Sequence, residues 1–180
     1  MQHKTKEEIE QGLPEVLNSP INNGTLEMIV IRPEVEEREV LNNGVLNIEE
    51  GLVGDNWKKR TGETTEKDTQ ITIMNARLIA LLAQEKKRWA LAGDQLYVDL
   101  DLSEDNVPEG TQIAIGEEAV VVVTAVPHLG CRKFIERFGK DAMIFVNSEI
   151  GKALHLRGIY AKVIKPGKIK KGDAVELIHF

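Results

Sequence analysis

Short apolar runs with the period-two alternation of β-strands recur along most of the chain, and they predict a mainly β protein. In 94–102 the apolar residues alternate with polar ones, which predicts a strand with one face in solvent. The valine run near the end of 110–126 predicts a strand in a barrel wall, and an Asn-Gly pair at 43–44 predicts a hairpin turn. The predicted strand segments are 25–32, two short runs within 37–55, and 69–74, 94–102, 110–126 and 155–180.

Helical spacing of apolar residues is confined to a few segments. It predicts a helix at 75–92, with Asn75 as its N-cap, and a second helix at 140–154. Residues 1–24 are polar and predict a short helix within an N-terminal arm, which leaves 25–180 as the domain. About eight short strands with few helices predict a closed or nearly closed mixed β-barrel.

Composition narrows the class of protein. The chain has 180 residues, 42% of them hydrophobic, which is enough for one domain with its own core. Its net charge of −6 argues against a nucleic-acid-coating surface but permits a local basic patch. A single cysteine excludes an internal disulfide. Neither a signal peptide nor a membrane-spanning apolar run is recognisable, so we expect a cytoplasmic protein without membrane or nucleic-acid partners.

The single cysteine, Cys131, lies in the segment VTAVPHLGCRKFIERFG. One interpretation is a buried packing residue, since free cysteine is among the most buried residue types. The other is a nucleophile, because Gly130 permits a sharp turn before a predicted helix start, and because Arg132 and Lys133 favour the thiolate. We favour the nucleophile. His128 is either a proton donor or acceptor beside the thiol or an ordinary polar loop residue.

Four further cations are candidates for anion binding. Lys58, Lys59 and Arg60 follow a glycine-bounded turn, which predicts either a phosphate-binding site or a solvated loop. Arg157 is either an anion clamp or a residue at the barrel rim. The sequence has no Walker-type glycine loop, GxGxxG, CxxC or HExxH motif, and its histidines are too scattered to predict a zinc site.

Five motifs stand in an order that resembles the MOSC domain, which occurs at the C-terminus of molybdenum-cofactor sulfurases and in stand-alone bacterial proteins. The motifs are GLVGD, QITIM, AGDQL, GTQIAIGEEAVVVVTAVPHLGC and RGIYAKVIKPGKIKKGDAVEL. The resemblance extends from residue 25 to residue 178. It implies a β-barrel of the MOSC or pyruvate-kinase-barrel type.

The resemblance also implies roles for individual residues. Cys131 falls on the family's cysteine, which either carries sulfur received from a pyridoxal-phosphate-dependent cysteine desulfurase or ligates the molybdenum of a pterin cofactor. The family's Gly-Asp turn falls on Gly54 and Asp55, which implies that Asp55 binds the cofactor. Its C-terminal Arg-Gly pair falls on 157–158. Many members have a basic residue and a histidine after Gly-Asp, where this chain has asparagine and tryptophan at 56–57.

Three functions are open at this point. The first is a sulfur carrier of sulfurtransferase type, which holds a desulfurase-derived persulfide on Cys131 and passes it to an anionic small molecule or a metal–sulfur centre. The second is an oxidoreductase-type protein that binds the molybdenum cofactor through Cys131. The third is a non-catalytic barrel that binds an anion or a protein. The reactive side chains are assigned to Cys131 and His128, and the anion- or cofactor-binding ones to Arg132, Lys133, Arg157, Lys58, Lys59, Arg60 and Asp55.

Overall fold

Eleven strands form among residues 2–61 and 67–178, the part of the chain that the computed structural model describes. Most are only four to eight residues long, and several end at a glycine or a polar turn. The strands are β1 (Gly24–Ile31), β2 (Glu39–Leu41), β3 (Asn43–Asn47), β4 (Gly51–Leu52), β5 (Ile71–Asn75), β6 (Leu96–Asp99), β7 (Gln112–Ile115), β8 (Ala119–Val123), β9 (Ile159–Lys165), β10 (Gly167–Lys170) and β11 (Ala174–Ile178).

Seven of these strands close into a barrel. They follow one another in the order β1, β6, β5, β9, β8, β7 and β11, and β11 pairs again with the beginning of β1. Only β5 and β6 run parallel, and β2 extends the sheet beyond the other end of β1. A small sheet of β10, β3 and β4 stands beside the barrel. The predicted closed mixed barrel is confirmed, and closure leaves few unpaired strand edges.

Short helices cover one side of the barrel. Two 3₁₀ turns, Lys67–Thr69 and Lys86–Ala92, accompany them. No helix of the described ranges combines the length and hydropathy that a bilayer-spanning segment needs. The helices are α1 (Lys6–Leu17), α2 (Trp57–Thr61), α3 (Ala76–Ala83), α4 (Arg132–Phe138), α5 (Lys140–Val146) and α6 (Glu149–Ala153).

The core has two layers, one inside the barrel and one between the barrel and its helices. Aliphatic side chains from all seven barrel strands fill the interior. The helices cover the outer face of β1, β5 and β6, so these strands are buried on both sides. The prediction of one wet face for 94–102 is therefore wrong at β6. Tyr97 points outward but is fully buried, and its hydroxyl donates to the carbonyl of Trp89 over 2.8 Å.

Three local predictions differ from the structure. The helix predicted at 75–92 ends at Ala83, because Gln84 adopts a left-handed conformation with φ of 63°. The helix predicted at 140–154 is two helices, because the Ser148 side chain accepts from the Gly151 amide and starts a new one. No hairpin turn forms at 43–44, since Gly44 lies inside β3 opposite a residue of β10. A Cβ there would approach a Leu52 side-chain carbon to 3.1 Å, so a larger residue would press on the Leu52 side chain.

The N-terminal segment contains the predicted short helix, α1. Thr5 caps it with a reciprocal capping box, and Ile9 and Val16 on its inner face are buried. The helix packs on α3 and α5, and Ile9 belongs to the outer core layer. The division of the chain into an arm of 1–24 and a domain of 25–180 stays a prediction.

Replacing Ile9 with alanine tests how strongly α1 is anchored. The side chain is 0% exposed, so Ile9→Ala should lower the free energy of unfolding by about 2–5 kcal/mol. Ile21→Ala is the matched control, because Ile21 is 70% exposed and should change it by less than about 0.5 kcal/mol. Urea unfolding measures both. Equal effects of the two substitutions would show that α1 is not part of the cooperative core.

Candidate functional site

Cys131 lies at the surface, directly before α4. Its backbone is extended and acts as the N-cap, and its carbonyl accepts from the amide of Phe134 over 2.9 Å. Among the described residues, no hydrogen bond reaches the sulfur. The interpretation of Cys131 as a buried packing residue is therefore wrong, and the thiol is accessible to a reagent or a partner protein.

Asn147 fixes the loop that carries the cysteine. Its side-chain oxygen accepts from the amide of Gly130 over 2.7 Å, and its side-chain nitrogen donates to the Gly130 carbonyl over 3.0 Å. This two-point contact joins the loop to the end of α5. Because Gly130 precedes Cys131 directly, the contact sets where the thiol sits relative to the helical layer.

The two cations after the cysteine are engaged elsewhere. Arg132 is 92% exposed and donates to Glu136 over 3.2 Å, one turn along α4. Lys133 pairs with the carboxylate of Glu36. Both side chains therefore satisfy carboxylates, and no described contact joins either of them to the Cys131 sulfur.

His128 lies in a buried chain of polar groups. Its Nδ1 is 3.6 Å from Oδ1 of Asp94, and both atoms are buried without a hydrogen-bond partner among the described residues. The other oxygen of Asp94 accepts from Arg157 over 2.7 Å. Burial and the Arg157 charge lower the pKa of His128 well below 6.5, while burial raises the pKa of Asp94. His128 is therefore neutral at pH 7.

A cavity of about 440 Å³ opens beside this chain. The ring of His128 forms part of its wall and packs on the ring of Tyr160, with 4.4 Å between the ring centres. Leu129 also lines the cavity, so the loop that leads to Cys131 forms one side of it. The prediction that placed His128 near the thiol thus corresponds to a shared loop, with the imidazole turned inward and the thiol outward.

Four arginines from separate parts of the chain gather near Gly93, and a fifth lies near one of them, Arg32; we call the five the arginine cluster: Arg32, Arg38, Arg60, Arg137 and Arg157. Arg32 donates to the Gly93 carbonyl over 2.9 Å. A Cβ on Gly93 would lie 3.8 Å from a guanidinium nitrogen of Arg38 and 4.0 Å from one of Arg137. Gly93 has φ of 88°, a conformation that favours glycine. Arg157 donates to the neighbouring Ala92 carbonyl over 3.0 Å.

The cluster carries more positive charge than its carboxylates balance. Within residues 2–61 and 67–178, no carboxylate forms an ion pair with Arg38 or Arg60. Burial and the nearby Arg137 and Arg32 charges lower the pKa of Arg38, and burial and Arg32 lower that of Arg60. The Nε atoms of Arg38 and Arg157 are buried without partners. Unpaired guanidinium groups at this density are suited to binding an anion.

Asp55 contacts the cluster through one member, Arg32. One of its oxygens accepts from the backbone amide and Nε of Arg32, and the other accepts from Nη2 of Arg32 and the amide of Trp57. Every described contact of this carboxylate is therefore internal. Asp55 acts on the site by orienting Arg32 and starting α2, and its direct binding of a cofactor stays a prediction.

The three predicted cations of α2 have different surroundings. Arg60 lies near Arg32 and joins the cluster, although it is the most exposed of the five arginines. Lys59 pairs with Glu34 over 3.3 Å, and Lys58 points to solvent. Only one of the three therefore reaches the cluster.

Sequence reasoning missed Arg32, Arg38, Arg137 and Asp94 as site residues. Asp94 had a signal, because the AGDQL motif contributed to the family resemblance, but no role was assigned to it. Arg32 and Arg38 flank an acidic segment and look like ordinary surface residues in sequence. The described residues contain no group of three or more His, Cys, Asp or Glu side chains that would hold a metal ion.

Asp55→Asn tests the buried ion pair. The substitution keeps the shape but leaves the Arg32 charge unpaired, so the free energy of unfolding should fall by about 3–5 kcal/mol. The side chains of Arg32 and Asp55 are 8% and 0% exposed. Glu34→Gln is the matched control, since it breaks an exposed pair with Lys59 and should cost less than about 1 kcal/mol. Similar losses for both variants in urea unfolding would contradict the structural role of Asp55.

Comparison with known proteins identifies the family of this barrel. The MOSC domain family model matches residues 64–176, more than half of the chain, whereas no curated protein gives a significant match. The solved structure of YuaD from Bacillus subtilis is similar with a TM-score of 0.59 at 18% identity, covering 88% of this chain and 97% of YuaD. YiiM from Escherichia coli gives 0.56 at 23%, covering 87% and 70%, and YiiM from Geobacillus stearothermophilus gives 0.57 at 16%, covering 87% and 75%. These likenesses establish a shared fold, and the match of the family model shows that the chain belongs to the MOSC domain family.

Proposed function

We propose that this protein carries sulfur on Cys131 as a persulfide and passes it to an anionic acceptor held by the arginine cluster. The MOSC family is associated with functions like that of the molybdenum cofactor sulfurase. The observation that carries the proposal is an exposed thiol at the start of α4, a helix that also packs on the cluster. Arg137 of α4 is a member, and the guanidinium carbon of Arg157 lies 5.0 Å from the centre of the Phe134 ring.

Loading is an exchange between the thiol and the persulfide of a pyridoxal-phosphate-dependent cysteine desulfurase. The Cys131 thiolate attacks the outer sulfur of the donor persulfide and forms a new S–S bond. The donor cysteine leaves as a thiolate with the electron pair of the broken bond. A nucleophilic acceptor then takes the outer sulfur from Cys131 in the same way. Exchange between thiolates passes the sulfur at one oxidation level, whereas delivery to a metal centre as sulfide takes two electrons, which a second thiol supplies by attacking the inner sulfur and forming a disulfide with Cys131.

His128 contributes hydrogen bonding to this site. A neutral imidazole has one N–H donor and one acceptor, and a pKa well below 6.5 makes it a weak base at pH 7. It borders a cavity whose described lining includes no arginine of the cluster, so we assign it a place beside the acceptor site, with its Nδ1 3.6 Å from Asp94. Binding of an anion beside Arg157 would weaken the positive field on the imidazole and raise its pKa.

The cluster supports an anionic acceptor such as a pterin phosphate or a metal–sulfur centre. Arg38, Arg60 and Arg157 offer donors toward such a group, and the buried Nε atoms of Arg38 and Arg157 lack partners among the described residues. Lys58 adds positive charge beside the cluster, whereas the charges of Arg132, Lys133 and Lys59 are balanced by surface carboxylates and become available to an anion only when those pairs open.

The molybdenum cofactor itself also fits these residues. When bound, it would supply a redox-active molybdenum, for which the Cys131 thiolate is a suitable soft ligand, and the arginines would hold its phosphate. This oxidoreductase-type reading is the second candidate function. The third candidate function, a non-catalytic barrel that binds an anion or a protein, applies if Cys131 accepts neither sulfur nor molybdenum.

Mass spectrometry tests the sulfur-carrier proposal. After incubation with a cysteine desulfurase and L-cysteine, the intact protein should gain the mass of one sulfur atom, and a thiol reductant should remove it. Cys131→Ser should gain nothing, and it is a clean control because the chain has one cysteine. His128→Gln should still load, since the thiol faces outward. Absence of the added sulfur in the unmodified chain would contradict the proposal.

Metal analysis distinguishes the second candidate. If Cys131 ligates molybdenum, the protein purified from molybdate-supplied cells should contain close to one molybdenum per chain, and Cys131→Ser should lose it. Under the sulfur-carrier proposal, molybdenum is substoichiometric in both. Stoichiometric molybdenum that depends on Cys131 would replace the first proposal by the second.

A further inference from the structure

An acidic segment crosses the edge of the arginine cluster. We call residues 33–37, Pro-Glu-Val-Glu-Glu, the strap. It begins directly after Arg32 and ends directly before Arg38, so a member of the cluster flanks it on each side. Three of its five residues are glutamates, whose negative charge is opposite to that of the cluster arginines.

Two strap carboxylates are bound to cations on either side of the cluster. Glu34 pairs over 3.3 Å with Lys59 of α2, the helix that carries Arg60. Glu36 pairs over 2.6 Å with Arg137 of α4 and also contacts Lys133. The strap thus joins the two helices that border the cluster, and Glu36 occupies one of the five cluster arginines.

These contacts are suited to exchange. The Lys59–Glu34 pair is mostly exposed, and Glu36 is half exposed, so solvent and salt screen both. Glu36 has φ of 68°, a left-handed conformation that non-glycine residues rarely adopt. Hydrogen bonding to Lys133 and the charge of Arg137 lower the pKa of Glu36, so it is an anion at neutral pH. Lys133 and Arg137 hold Glu36 in its left-handed conformation. When another anion binds these cations, Glu36 is no longer restrained.

We propose that the strap is an internal competitor of the anion site: Glu36 occupies Arg137, which a polyanionic ligand of the arginine cluster uses, Glu34 anchors the strap to Lys59 beside the cluster, and such a ligand displaces the strap. The inference rests on the proposed function, because it concerns the same anion site. It adds regulation to that site. A ligand with one weak negative charge leaves the strap in place, whereas a ligand with several, such as a phosphorylated one, opens it.

Glu37 and Glu39 provide a matched control. They lie next to the competing glutamates, and neither forms an ion pair with another described residue. Converting either pair of glutamates to glutamine removes two negative charges from the same surface. Any difference between the two double variants therefore reports the ion pairs and not the net charge.

Calorimetric titration with inorganic pyrophosphate at low salt tests the competition. Glu34→Gln/Glu36→Gln should bind pyrophosphate about tenfold more tightly than the unmodified chain, a change that the loss of two surface ion pairs is able to supply. Glu37→Gln/Glu39→Gln should change affinity by no more than about twofold, from long-range potential. Arg38→Gln should weaken binding in every background, which places the probe at the cluster.

Hydrogen exchange supplies an independent measure of the strap. Pyrophosphate should raise exchange of the 34–37 amides in the unmodified chain while lowering it around the cluster; Pro33 has no amide hydrogen. Equal affinity changes in the two double variants, or unchanged exchange in the strap, would overturn the inference while leaving the anion site intact. Absence of pyrophosphate binding in all variants, or binding indifferent to Arg38→Gln, would overturn the anion site itself, and the strap inference with it. Persulfide loading of Cys131 is unaffected by either result and tests the carrier role separately.

Discussion

The ion pair of Arg32 and Asp55 is the interaction on which the site depends. Burying two charges is costly, and the cost is offset only where hydrogen bonds satisfy both groups. Asp55 receives four such bonds, three of them from Arg32, and the Arg32 carbonyl accepts in turn from the amide of Asn56 over 2.9 Å. Because the remaining guanidinium nitrogen binds the Gly93 carbonyl, one side chain holds three distant segments together.

A second buried ion pair joins Arg157 to Asp94, the residue that follows Gly93 in the chain. It brings the start of β9 and the imidazole of His128 to the position that Arg32 has fixed. The outcome is a region with an excess of arginine over carboxylate, a neutral histidine and several unsatisfied buried polar atoms. A fold that only maximised stability would not keep these conflicts, so their concentration in one place indicates a binding function.

The thiol and the cluster are coupled through α4. Cys131 begins this helix on the outside, Phe134 packs under Arg157 in the middle, and Arg137 reaches Gly93 near its end. An exposed sulfur suits exchange with a partner protein, while a half-buried cationic region suits a small anion. The helix α4 therefore lies between the site of sulfur loading, Cys131, and the proposed acceptor site, the arginine cluster. The strap contacts only the cluster side.

Local sequence pattern was sufficient to predict the barrel and the position of Cys131 directly before a helix. Strand periodicity depends on near neighbours, and a glycine, a cysteine and a helical run at 130–138 predict a helix that starts at Cys131, whereas the exposure of the thiol was seen only in the structure. Pattern failed where a distant segment decided the outcome, as at β6, whose outer face is dry because helices cover it, and at Gly44, which packs and does not turn.

The arginine cluster is likewise formed by contacts between distant segments of the chain. Its members stand at positions 32, 38, 60, 137 and 157, and no spacing between them carries information. Arg32 and Arg157 meet because β1 pairs with β6, β6 runs parallel to β5, and β5 pairs with β9, which sets the ends of these strands side by side. The other three come from the segment before β2 and from α2 and α4, which pack beside those strand ends. The sequence alone predicted the closed β architecture and a helix start at Cys131, and it favoured a reactive thiol there. Only strand register, a property of chain segments far apart, decided which charges would share one place.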